Sequence, residues 1–169
     1  MFVKPTLALS CCSVFCICGC TSRVIPHHET MVVDGELAVC GNIFLSHSDA
    51  SATHALLVHL DLDDAPFAVD TAREVPVTSM NSGGRPVVQM EEWSHGNYYC
   101  NCSPSTDEPD RWRATAGRLT ITRMADPTRP EFSIFRAHGS GLVFVNAHGD
   151  IREVPEWDVP HFGINLKAR

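Results

Sequence analysis

His54-Ala55-Leu56-Leu57-Val58-His59-Leu60-Asp61-Leu62-Asp63 decides the fold class. Leu56, Val58, Leu60 and Leu62 fall on one parity; Leu57, His59, Asp61 and Asp63 fall on the other. Successive side chains of a strand point to opposite sides of a sheet. Alternation of this kind therefore predicts a strand with one buried face and one wet face. Asp64-Ala65-Pro66 then turns the chain.

Upstream, residues 36–45 read as one strand, with Leu37, Val39, Ile43 and Leu45 on one parity and Gly41 as a bulge. Polar Ser46-His47-Ser48-Asp49 ends it. Downstream come short extended pieces at residues 67–70 and 74–78, with Pro76 marking an edge. Asn81-Ser82-Gly83-Gly84 is a loop by composition. Residues 86–93 and 96–102 read as two strands joined at Ser94-His95-Gly96, and proline-containing 103–110 as an exposed loop. Residues 112–124 resume the alternation, and their threonines favour strand. Residues 132–137 and 142–147 predict a hairpin around His138-Gly139-Ser140-Gly141, and 159–166 a closing strand.

No stretch of twelve residues carries a 3.6-residue period. Roughly eight to ten strands at spacings of about 8–12 residues predict an all-β protein. The architecture expected is a single antiparallel β-sandwich, immunoglobulin-like or jelly-roll, with a small barrel as the alternative.

The first twenty residues have a different character. Lys4 precedes an uncharged, mostly apolar run from Pro5 to Ile17, followed by Cys18-Gly19-Cys20. A basic start, a short apolar core and small residues are the parts of a secretory signal. Ile17-Cys18-Gly19-Cys20 resembles the lipobox of bacterial lipoproteins, with Cys18 where a small residue such as Ala or Ser is usual. The resemblance covers only these twenty residues. It implies lipidation of Cys20 as the first residue of the mature chain, and a membrane partner reached through the acyl chains. Thr21 in place of the aspartate that retains enterobacterial lipoproteins at the inner membrane implies the outer membrane. The alternatives are cleavage by ordinary signal peptidase near Gly19, and an uncleaved anchor, for which the apolar run is short. The expected organisation is residues 1–19 as signal peptide, 20–30 as lipidated tether and 31–169 as a single β-sandwich domain. His27-His28 in the tether reads as solvated rather than as a metal pair.

The chain has 169 residues, 44% of them apolar and 20% charged, with a formal net charge of -7. That composition suits one globular domain. An acidic surface repels phosphate backbones, so no nucleic acid is expected as a partner. No cofactor is implied by any motif.

Of eight cysteines, only Cys40, Cys100 and Cys102 lie beyond the lipobox. Cys100 and Cys102 share a strand face, which disfavours a bridge between them. A disulfide from Cys40 to Cys100 or Cys102 is the first expectation, closing a loop of about sixty residues and contributing roughly 4 kcal/mol. A zinc or copper site from Cys40, Cys100, Cys102 and His95 is the alternative, although the usual Cys-x₂₋₄-Cys spacing is absent. Free thiols or an intermolecular bridge are the third possibility.

Other constellations carry less chemistry. Asp61, Asp63, Asp64 and Asp70 do not match a calcium loop and suit a solvated face. His138 and His148 each sit in an Ala-His-Gly triplet, but ten extended residues hold them about 25–33 Å apart. Trp93, Trp112 and Trp157 suit either a core or a carbohydrate-binding surface. There is no Gly-x-Ser-x-Gly elbow, no phosphate-cradling glycine loop and no His-Glu-x-x-His. The function expected is that of a non-catalytic binding or scaffolding domain of the cell envelope, its protein or glycan partner unidentified. An envelope metal-binding protein and a carbohydrate-binding module are the alternatives.

Overall fold

A computed structural model describes residues 26–40, 44–60, 68–94, 108–129 and 132–165. They form nine strands: β1 His28–Thr30, β2 Leu37–Cys40, β3 Phe44–Ser48, β4 His54–His59, β5 Ala72–Val75, β6 Val88–Glu92, β7 Asp110–Ala125, β8 Phe132–Val145 and β9 Ile151–Asn165. No helix occurs among the described residues, so the chain is all-β as its alternation predicts.

The strands belong to one sheet in the order β1-β9-β8-β7-β6-β4-β3-β2, with β5 added to β7 beyond β6. Every pairing is antiparallel except β1 with β9. The sheet is curled. Trp157 on β9 bonds His47 on β3 at 2.8 Å, although four strands lie between them in the sheet. The chain also spans the gap between the two sheet ends. The Met31 amide donates to Glu153 on β9, and the Gly35 amide, four residues later, donates to Ser48 on β3.

The described strands do not separate into the two sheets of an immunoglobulin-like or jelly-roll sandwich. The physical reason lies in the three long strands of 16, 14 and 15 residues, which pass from one wall of the curl to the other without interruption. On β7 and β8 the parity of the core-facing residues changes where the register between them is irregular; on β9 it changes between Val154 and Trp157, in unbroken register with β8. On β7, Trp112 and Ala114 face the core before Gly117, and Leu119 and Ile121 after it. On β8 the change runs from Phe135 and Ala137 to Leu142 and Phe144; on β9 from Val154 to Trp157 and Val159. Register shifts fall between Ala114 and Arg118 of β7 and opposite Phe135–Ala137 of β8. The β7–β8 register is the same on both sides of its shifts, so the paired strands change parity together and their apolar side chains stay on the concave side.

Residues 132–147, expected as a hairpin, are therefore mostly a single strand, with Gly141 at φ +56° inside it. Residues 36–45, expected as one strand, instead contribute to a hairpin pair, β2 and β3. Ser46 and Ser48 are buried rather than a polar exit. The Ser48 hydroxyl accepts the Glu36 amide at 2.9 Å. His28–Thr30, expected within a tether, pair with β9 as β1. Pro155 sits in β9 beyond the short reach of β1, and Pro160 falls at the shift in register between β8 and β9.

The deciding strand, β4, is also more buried than its alternation suggests. Leu56 and Val58 enter the main core. Ala55 and Leu57 form a second cluster with Trp93, and Phe44 packs against it. Both faces of β4 are thus covered, and each fully buried leucine contributes about 1.5–3 kcal/mol.

Candidate functional site

The second face of β4 continues across the sheet as the floor of a cleft. Cross-strand partners point to the same side of a sheet. Leu57 pairs with Gln89, Gln89 with Arg113, and Arg113 with Val145, giving one row across β4, β6, β7 and β8. Ala55, Glu91 and Arg111 form the next row. Val88 and Met90 alternate with Gln89 and Glu91 and point into the main core, so the cleft lies on the opposite face. Its volume is about 880 Å³, within the range of small-ligand sites. Met80, Arg85 and Pro86 overhang it from the β5–β6 connection, Glu108 and Pro109 from the approach to β7, and Asn146 and Ala147 from the β8–β9 turn.

The floor is polar and organised. Glu91 is only 2% exposed. Gln89 Nε2 donates to Glu91 Oε1 at 2.8 Å, and Arg111 Nε lies 3.5 Å from the same oxygen. Burial of a carboxylate without such partners costs several kcal/mol, so Gln89 and Arg111 stabilise the Glu91 charge. His59 lines the same cleft, is 8% exposed and packs against Phe44 with ring centroids 4.7 Å apart and planes tilted at 47°. Burial, and then the nearby Arg85 charge, hold its imidazole below its ordinary pKa, so it is neutral at neutral pH. Its Nε2 is buried without a hydrogen-bond partner.

A separate polar network closes one end of the main core. The Arg152 guanidinium lies 4.0 Å over the Trp112 ring, with Nη1 2.8 Å from Glu92 and Nε 3.3 Å from Glu29. His54 stands between Asp49, at 3.2 Å, and Glu92, at 3.5 Å. Asp49 also receives the amides of Thr53 and His54, which ties the β3–β4 turn. These groups join β1, β4, β6, β7 and β9.

The residues singled out in sequence are distributed otherwise. Cys20, His95, Cys100, Cys102, Asp61, Asp63 and Asp64 lie outside the described residues. The Cys40 backbone ends β2 opposite Phe44. No group of three His, Cys, Asp or Glu side chains suited to a metal occurs among the described residues. Trp93, Trp112 and Trp157 are all buried, so they form core and not a carbohydrate-binding surface. His138 is on β8, 3.6 Å from Glu156 and 3.7 Å from Asp158, and His148 is in the β8–β9 turn. His28 pairs with Glu153 at 3.2 Å. His59, expected on the wet face, is a buried wall of the cleft. Arg85, Gln89, Glu91, Arg111 and Arg113 were not singled out. The available signal is the i,i+2 spacing of Gln89 with Glu91 and of Arg111 with Arg113, which places each pair on one strand face.

No protein-family model matches the sequence, no curated protein is similar to it, and no solved structure is similar to the fold.

Proposed function

We propose that this chain is a lipid-anchored protein of the bacterial cell envelope whose curled sheet is a non-catalytic binding domain. Cys20 carries the acyl chains, a short tether leads to β1, and the outer membrane is the destination. Cys40 forms a disulfide with Cys100 or Cys102. The cleft over Gln89, Glu91, Arg111 and Arg113 receives the ligand.

The observation that carries the binding role is an open cleft whose floor holds a buried, hydrogen-bonded carboxylate, Glu91. Gln89 and Glu91 are held by their mutual hydrogen bond before any ligand arrives, which lowers the ordering cost of binding. Among the described residues the lining contains arginine, carboxylate, glutamine, asparagine and histidine. That set is suited to holding a polar ligand through hydrogen bonds and ion pairs.

Met80 and Val32 are both exposed apolar side chains, one on the cleft rim and one away from it. A photoreactive residue at each position, in the full chain expressed in a bacterial envelope, tests the binding role. Adducts at Met80 and none at Val32 are expected; equal labelling overturns it. Intact mass of the extracted protein tests the anchor, with a diacylated or triacylated chain starting at Cys20 expected and an unlipidated start opposed to it.

A further inference from the structure

We propose that the cleft takes a zwitterionic ligand, a short peptide with a free carboxylate and a free ammonium group. This rests on the cleft being the binding site.

Charge balance comes first. The lining carries Arg85, Arg111 and Arg113 against Glu91, Glu108 and Asp110. Arg111 and Glu91 neutralise each other on the floor. Arg113 has uncharged cross-strand neighbours, Gln89 and Val145. Arg85 overhangs the floor from the loop. Among the described residues neither Arg85 nor Arg113 is in an ion pair. Two guanidinium groups without carboxylate partners, in one cleft, are an arrangement that recognises a carboxylate.

Two further acidic groups line the same cleft. Glu108 and Asp110 flank the entry to β7, and Asp110 is 3.5 Å from the Asn146 amide nitrogen. They supply the complement for an ammonium group. A phosphate dianion would meet these carboxylates, and a diamine would meet the arginines, so neither matches both ends. His59 adds a second, independent mark of a ligand. It is more than nine-tenths buried in the wall, and its Nε2 has no partner in the protein. The imidazole is neutral and so leaves the charge balance of the cleft unchanged. Met80, Pro86 and Val145 leave apolar surface for small side chains.

Isothermal titration of the mature chain with three tripeptide libraries tests this: free at both ends, amidated at the carboxyl end, and acetylated at the amino end. Inorganic phosphate is the fourth probe. The free library is expected to bind, with each capped library weaker by about tenfold or more. Arg113→Gln and Arg85→Gln are both expected to abolish the difference between free and amidated peptides while keeping the difference between free and acetylated ones. Asp110→Asn is expected to do the reverse. Equal binding of all three libraries, or binding of phosphate alone, overturns the zwitterion assignment. If no probe binds but the Met80 adducts form, the ligand class is wrong and the binding role stands; if the adducts also fail, both fall.

Discussion

Trp157 donates its indole N–H to Nδ1 of His47 at 2.8 Å, joining β9 to β3 across the interior of the curl. The rings are tilted at 52° with centroids 6.2 Å apart, so the contact is a hydrogen bond and not a stack. Trp157 is one of the largest fully buried side chains, and its N–H needs an acceptor. Only an unprotonated Nδ1 can accept.

Burial holds the His47 pKa below its reference value of 6.5, against smaller opposing effects of a hydrogen bond to Gly35 and the Asp34 charge. His59 is shifted the same way. A folded pKa below the unfolded one means that the unfolded chain binds more protons in the window between them. The stability from these two histidines is therefore complete above about pH 6.5 and is lost as pH falls through that value toward the folded pKa. Urea denaturation at about pH 7.5 and about pH 5.5 is expected to show the lower midpoint at the lower pH. His47→Leu is expected to cost about 1–3 kcal/mol at neutral pH, because it leaves the Trp157 N–H buried and unpaired. It should also reduce the pH dependence. An unchanged dependence would remove His47 from this account.

Arg152 holds β1 to the rest of the sheet through Glu29 and to β6 through Glu92, with Trp112 beneath it. Burial alone would raise the Glu92 pKa; the Arg152 hydrogen bond and charge, aided by His54, outweigh it and bring it below its usual value. Arg152→Met is expected to cost about 1–3 kcal/mol, less than a fully buried pair because Glu29 and Glu92 are partly exposed. Arg152→Lys should recover only part of this, since an ammonium keeps charge but not the planar fork over the ring. Loss of hydrogen-exchange protection at the Met31 amide, which bonds Glu153, reports release of β1.

Asp49 ties the β3–β4 turn with one carboxylate. Burial works against its charge, but the Ser51 hydroxyl, the His54 amide and the His54 ring together hold its pKa below the reference value of 3.8. Its contribution is present above about pH 4 and is lost as pH falls through the folded value. Asp49→Asn, measured by thermal melting at neutral pH, is expected to lower stability by about 1 kcal/mol and to do nothing further below the folded pKa, where the wild-type carboxylate is already neutral.

Alternation made the strand class legible but not the burial of both faces. In residues 56–59 it places Leu57 and His59 on water. Their cover comes from Phe44 and Trp93, which are distant in sequence, and no local period reports a second cluster. The change of parity between Ala137 and Leu142 was visible, with two glycines beside it. A tight turn and a bulge leave the same local mark. What selects the bulge is continuous pairing with β7 and β9, a long-range property. The cleft is similar. The spacing of Arg111 and Arg113 puts both on one face, yet nothing local says that β6 lies beside them and places Glu91 opposite Arg111.

Gly117 marks the bend of β7, at φ +114°, where the register with β8 shifts. A Cβ there would lie 2.7 Å from the Gly141 carbonyl oxygen and 2.7 Å from the Leu142 Cα, and both are backbone atoms that cannot turn aside. The same φ is costly for any residue with a side chain. Gly117→Ala is therefore expected to destabilise the fold by about 2–4 kcal/mol, combining backbone strain with displacement of β8. Gly84 has φ +71° but open space around its Cβ position. Gly84→Ala should thus carry only the conformational cost, about 1 kcal/mol. Chemical denaturation of the two variants separates steric contact from backbone strain. Equal losses would mean that the close approach of β7 to β8 does not set the bend, and that the curl is fixed elsewhere.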